Sequence, residues 1–337
     1  MISKYDHYDL SAQNTFRMKV SCACYVEYDS MDDLKSLDFD SLPKPLLSMG
    51  EGSNMLFTRD FEGTVLRSRI GYVKYFDLGA DEVPLAVGSG VKWDDLVAKT
   101  CADGLWGLEN LSLIPGDVGA SAVQNIGAYG VEAKDFICQV HAVEIATGRR
   151  CVFSNEDCRY GYRDSRFKHE WKNRYLITSV EYALQQQFAP RLHYGNISSE
   201  LERRGIGNPT AQQVRDVIID IRNAKLPDPK VMGNAGSFFM NPIVSREKYE
   251  SLAAQYEQMP HYEIDASHVK IPAGWMIEQC GWKGQSLGRA GVYEKQALVL
   301  VNRGGATGDE IVTLCRQIQH DVQAKFGIDI HPEVNII

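Results

Sequence analysis

The chain has 337 residues, more than one hydrophobic core usually organises, so two or three domains are expected. It carries 36 Lys and Arg against 44 Asp and Glu, a net charge of -8, with an isoelectric point near 5.6. That balance argues against a nucleic-acid or anionic-membrane surface but leaves room for a small anionic ligand held by a few local cations.

The polar start, Met1 to Arg17, lacks the apolar run of a signal peptide, and no later stretch reaches membrane-spanning length, so a cytoplasmic protein is expected. The eight cysteines form no Cys-x-x-Cys and read as reduced thiols; no metal-ligand set is found.

Leu46 to Met49 reads as a buried strand entering Gly50-Glu51-Gly52-Ser53-Asn54, with apolar Met55-Leu56-Phe57 beyond. Backbone N–H groups in such a turn can form a nest for phosphate oxygens, with Ser53 and Asn54 adding donors; a plain tight turn is an equal reading. A β-like pattern follows from Arg69 to Val87, and Trp93 opens a short helix closing near Gly104. The span Leu111 to Gly130 then spaces Gly116, Gly119, Gly127 and Gly130 among small residues, with Ser121, Gln124, Asn125 and Tyr129 between. So little bulk suits backbone laid on a large planar ligand or on pyrophosphate; close packing of strand on helix is the alternative.

Residues 138 to 153 and 174 to 185 alternate like strands around the basic, aromatic segment Arg159 to Lys168, which includes Arg163. Tyr194 lies in a Tyr-Gly-Asn loop. Thr210 and Gln213 form a capping-box start, and the helix behind it must stop before Pro227, leaving Lys225 near its end. The Pro-Asp-Pro turn leads into Gly233-Asn234-Ala235-Gly236-Ser237-Phe238-Phe239-Met240-Asn241, which on its own reads as a glycine turn entering a buried strand. Short helices are expected over 245–258 and 273–280, and strand over 284–301. Thr307 and Glu310 make a second capping box, opening a helix that ends at Gly327; the final stretch 328–337 alternates like an edge strand.

Taken together, Gly50 to Asn54, Ile114 to Gly130, Gly161-Tyr162-Arg163-Asp164-Ser165, Lys225-Leu226-Pro227-Asp228-Pro229-Lys230 and Gly236-Ser237-Phe238-Phe239 resemble the UDP-N-acetylenolpyruvoylglucosamine reductases, the MurB-type flavoenzymes of peptidoglycan synthesis. The likeness runs from Asn14 to Val334. The Tyr194 loop and the insert between Ser245 and Gly284 point to the longer subtype.

The resemblance implies an α+β protein in which two subdomains of a PCMH-type FAD-binding fold are joined to an α+β substrate-binding domain. The implied boundaries are 1–70, completed by 327–337, then 71–225 and 226–326. Non-covalent FAD would lie on Gly50, Gly52, Ser53, Asn54, Gly116, Gly119, Ser121, Asn125, Gly127 and Tyr129. In the family NADPH reduces the flavin, and flavin N5 then gives hydride to C3 of the enolpyruvyl group. Position by position, Ser237 matches the general acid that protonates C2, while Arg163 and Glu333 match the pair that stabilises the enol. Substrate holding falls on Tyr194, Lys225, Asn241, Tyr262, Lys283 and Gln296. The partner implied is a UDP-sugar, not a nucleic acid or membrane, and a monomer is expected.

Two positions depart from the pattern. Met240 stands where a basic residue is common, and Asp117 where an uncharged one is usual; pointing inward, its charge would oppose the flavin phosphates. The rival readings are another FAD-dependent oxidase of the same superfamily, a serine hydrolase using Ser237, and a non-catalytic sugar-nucleotide binder.

Overall fold

Parallel pairing sets the architecture at the start of the chain. In the computed structural model, which describes residues 1–77, 81–187 and 189–337, strands Ser21–Tyr28 and Leu46–Ser48 both run parallel to Phe61–Ser68. Strand Ser3–Asp9 adds the edge beyond Ser21–Tyr28. Covered on both faces, the middle strand buries the unbroken run from Gly63 to Arg67, as a parallel strand does. Gly63 has to be glycine there: a Cβ would stand 1.9 Å from the Pro45 carbonyl oxygen. The same run takes in an arginine.

The chain divides into two units, one of residues 1–8, 21–52 and 61–224, the other of 9–20, 53–60 and 225–337. The first unit also holds a five-stranded antiparallel sheet, ordered Arg150–Ser154, Ile137–Glu144, Tyr175–Gln185, Glu82–Gly88, Val73–Tyr75. The alternating stretch 138 to 153 is thus two strands, because Thr147 and the left-handed Gly148 turn the chain between them. Helix Trp93–Ala102 buries Trp93, Leu96, Val97 and Cys101, and helix Ala211–Lys225 buries Val214, Val217 and Ile218 in the same core. The second helix stops where the sequence requires, two residues short of Pro227.

The second unit is built on a four-stranded sheet ordered Gly233–Ser237, Val299–Asn302, Ala290–Val292, Ser286–Leu287. Helix Gly308–Phe326 starts at the expected Thr307–Glu310 capping box, lays Ile311, Leu314, Cys315, Ile318 and Val322 into the core, and ends at left-handed Gly327. Helix Arg246–Ala253 is shorter than 245–258 would give; the chain turns at Gln258, which has φ of +59°, ahead of Pro260. A three-stranded sheet orders Ile243–Ser245, His268–Lys270 and Tyr262–Glu263.

Only Asn335–Ile336 of the last ten residues forms a strand, parallel to Met55–Leu56. The alternation upstream is real in burial, with Ile328, Ile330 and Val334 all inside. Pro332, lacking an N–H, limits the pairing there to a single bridge with Phe239. All eight cysteines are free thiols. Among the described residues, no helix is long and apolar enough to cross a membrane.

Candidate active site

In the first unit the two glycine segments meet. The Gly116 N–H donates to Glu51 Oε2 at 2.9 Å, and Lys92 Nζ approaches the other oxygen of that carboxylate at 3.3 Å. A Cβ on Gly50 would stand 3.1 Å from Asp117 Oδ2, so the first turn lies directly against the loop that opens helix Val118–Gln124. The Gly50 and Glu51 amides take no hydrogen bond within the chain among the described residues. Those of Val118 and Gly119 are already used, donating to the Val91 and Ser89 carbonyls at 2.9 and 3.0 Å. Gly119 is glycine because a Cβ would press to 2.9 Å from that of Ser89. Close packing therefore accounts for Gly119, whereas Gly50 and Glu51 offer free donors.

Ser121 turns its hydroxyl inward, donating to Val118 O at 2.7 Å and sharing a 3.0 Å hydrogen bond with buried Tyr182. Asn125 closes the helix in the left-handed region, φ +45°, and ties three segments: Nδ2 donates to Gly161 O and Glu132, and Oδ1 accepts from Lys134 N. Through Gly161 this fixes the next motif, whose Arg163 donates from Nη2 to Gly127 O at 2.6 Å. Tyr194 packs beside Gly130, within 3.2 Å of where a Cβ would stand, and Gly195 lies against the Tyr129 ring. Gly127, Tyr129, Arg163 and Tyr194 thus form one cluster around the glycine loop.

Two residues here were not read from the sequence. Arg222 faces Tyr129, whose pKa burial pushes up against the pull of that guanidinium; its spacing three residues before Lys225 on one helix face was the available signal. Arg67 is 4% exposed and pairs with Asp117, 4% exposed, by Nη2 alone, at 3.1 and 3.4 Å from the two oxygens. Its Nε and Nη1 are buried with no partner. Burial pushes the Asp117 carboxyl up to about 6, against the pull of Arg67. The departure noted at Asp117 is therefore an inward-facing carboxylate with its own arginine.

In the second unit, Ser237 ends strand Gly233–Ser237, paired with Val299, after a bend at Gly236 with φ of +68°. Its side chain is exposed, while Phe238 and Phe239 behind it are buried, their rings 5.2 Å apart. The Glu333 N–H donates to Phe238 O at 2.8 Å, which places Glu333 on the chain beside the serine. Met240 N donates to His331 O at 2.9 Å and continues that pairing. Ser53 and Asn54 belong to this unit: the Asn54 carbonyl accepts from Asn335, and its Nδ2 reaches Glu333 O at 3.4 Å.

Asn241 Oδ1 accepts from Ala273 N at 2.9 Å, capping helix Ala273–Gln279, and Gln296 Oε1 lies 3.1 Å from where a Gly274 Cβ would be. Those two residues meet at one helix start. Tyr262 lies opposite Lys270 across two strands, with the ammonium 5.6 Å from the ring centroid. Lys283 pairs with Glu278 at 2.9 Å, and Lys225 is exposed. A cleft of about 800 Å³ in this unit, lined by Arg17, Lys19, Arg59, Arg289 and Arg303 with the glycines after them, includes none of the expected substrate residues.

The first unit suits a flavin dinucleotide. Unbonded amides at Gly50 and Glu51 and two orphaned donors on a buried guanidinium lie together, and a diphosphate needs such donors. When bound, FAD supplies the hydride-carrying ring system.

Comparison with known proteins agrees. The FAD binding domain family matches residues 24–154, and the family described as UDP-N-acetylenolpyruvoylglucosamine reductase, C-terminal domain, matches 228–337. The chain is 54% identical over 331 residues to the UDP-N-acetylenolpyruvoylglucosamine reductase of Bacteroides fragilis, covering 98% of this chain and 99% of that one. It is 47% identical to that of Porphyromonas gingivalis, covering 98% of each. Among solved structures, the reductase MurB from Thermus caldophilus superposes with a TM-score of 0.68 at 20% identity, over 100% of this chain and 98% of that one. The 6-hydroxy-D-nicotine oxidase of Arthrobacter nicotinovorans reaches 0.50 at 14% identity, over 96% and 83%, and is a likeness of fold. The fold is thus the FAD-binding type joined to the reductase C-terminal domain, and the chain belongs to the family of UDP-N-acetylenolpyruvoylglucosamine reductases, FAD-containing oxidoreductases of peptidoglycan synthesis that act on a UDP-sugar.

Proposed function

We propose that the chain uses NADPH to reduce the enolpyruvyl ether of UDP-N-acetylglucosamine enolpyruvate to UDP-N-acetylmuramate, with Ser237 as the proton donor to C2. The observation that carries the assignment is the hydroxyl itself. It is exposed at a glycine bend, and among the described residues no group of the chain bonds it. An unactivated serine protonates only a strongly basic carbon, which is what hydride addition at C3 creates. Arg163 holds the carboxylate and growing oxyanion, and Glu333 hydrogen-bonds the enol; each contact of this kind is worth roughly 3 kcal/mol of barrier.

Tyr194, Lys225, Asn241, Tyr262, Lys283 and Gln296 hold the UDP-sugar, two lysines answering its diphosphate. Residues 1–70 with 327–337, and 71–225, serve the flavin, and 226–326 the sugar nucleotide. NADPH and substrate take turns, giving ping-pong kinetics. The protein works in the cytoplasm as a monomer, without nucleic acid or membrane.

Half-reactions test the role of Ser237. Ser237→Ala should leave NADPH reduction of the flavin intact while product formation falls by roughly 100-fold or more. Equal loss of both steps would remove the assignment.

A further inference from the structure

Burying a guanidinium is costly unless all its donors are used, and Arg67 uses one nitrogen of three. It lies in the buried run of strand Phe61–Ser68, where its neighbours Val65 and Leu66 are fully inside. Neutralising Asp117 does not explain this geometry. A fork-to-fork pair would satisfy both oxygens and two nitrogens, and the same unit makes one between Arg215 and Asp94, at 2.6 and 2.9 Å. At Arg67 the carboxylate occupies one end of the guanidinium and leaves Nε and Nη1 open.

The location supplies the reason. Asp117 Oδ2 lies 3.1 Å from the position of a Gly50 Cβ, so the pair is set where the two glycine turns meet, beside the unbonded Gly50 and Glu51 amides. Every unused donor in that neighbourhood is one that an anion would satisfy. Asp117 by itself would repel such an anion; Arg67 cancels that charge and keeps two donor nitrogens over.

We propose that Arg67 is a cofactor-holding residue of this chain: with one nitrogen held by Asp117, its buried guanidinium donates Nε and Nη1 to the diphosphate of FAD. Asp117 is then a positioning residue, aiming the guanidinium without touching the cofactor. The inference rests on the FAD assignment and is independent of Ser237.

The test compares FAD with riboflavin, which carries the ring but no phosphate. Flavin is stripped from the full-length protein, and each ligand is titrated back by fluorescence quenching. Arg67→Met should weaken FAD by roughly 10- to 100-fold and leave riboflavin unchanged, with Arg67→Lys recovering part of the loss. Because Arg67→Met strands the Asp117 carboxylate, the double variant Arg67→Met/Asp117→Asn is measured alongside, its folding checked by circular dichroism. A folded double variant that binds FAD as the parent does overturns the proposal, as does parallel loss of both ligands. Failure of the parent to take up FAD would instead sink the flavin assignment itself.

Discussion

Two arginine–aspartate pairs in the first unit are built to different ends. Arg215 and Asp94 meet fork to fork at 2.6 and 2.9 Å, and Asp94 also accepts the Leu113 N–H at 2.6 Å, so its oxygens are well used. Arg67 and Asp117 touch through one nitrogen at 3.1 Å and leave two donors over. The consequence shows in the acids. Against the cost of burial, the Arg215 bond and the Leu113 amide hold Asp94 below the ordinary carboxylate range, whereas burial lifts Asp117 to about 6. A pair that closes on itself serves the fold; one that remains open needs something else to complete it.

Breaking the closed pair should have the largest effect. Asp94→Asn leaves Arg215, whose side chain is 9% exposed, without its counter-charge and should cost about 3 kcal/mol in urea denaturation. A change below about 0.5 kcal/mol would mean the fork contributes little.

The pH dependence sharpens the contrast, because the two acids have opposite signs. With its folded pKa raised, Asp117 contributes stability that is complete at low pH and is lost as pH climbs from near 4 to about 6, a swing of about 3 kcal/mol. With its folded pKa lowered, Asp94 contributes stability present above its unfolded value and lost as pH falls through the depressed one. In FAD-free protein, Asp117→Asn should flatten the fall in stability between about pH 4 and pH 6. A curve parallel to the parent's would contradict the raised value. The smallest effect is expected at the neighbouring loop, where Gly119→Ala forces a Cβ to within 2.9 Å of that of Ser89 and should cost about 1 to 2 kcal/mol of thermal stability. No cost there would show that the helix start can slide.

What could be read from sequence follows the range of the interactions. Both capping boxes, Thr210 with Gln213 and Thr307 with Glu310, were readable because partners three residues apart satisfy each other locally. The stop before Pro227 was equally local. The Ser237 stretch reads by itself as a glycine turn entering a strand, but Gly233–Ser237 is itself the strand, irregular where left-handed Gly236 bends it; its chemical role came from resemblance. Arg67 stayed hidden because strand periodicity says nothing of a charge inside a doubly covered strand, and Asp117 is fifty residues away. The hairpin within 138–153 was missed because both strands alternate and only Gly148 marks the turn.

The second unit closes with its last residues beside an early segment. Asn335 and Ile336 pair with Met55 and Leu56, and the Ile337 carbonyl accepts from both the amide and the hydroxyl of Thr58. During synthesis, then, residues 53–60 emerge nearly three hundred positions before the strand that receives them. At ribosomal rates of about 5 to 20 residues per second, its apolar Met55, Leu56 and Phe57 wait roughly 15 seconds or more without their partner. The unit that carries Ser237 therefore cannot close until that late strand has emerged, and its assembly, unlike that of the locally wired helices, has to bear the long closure.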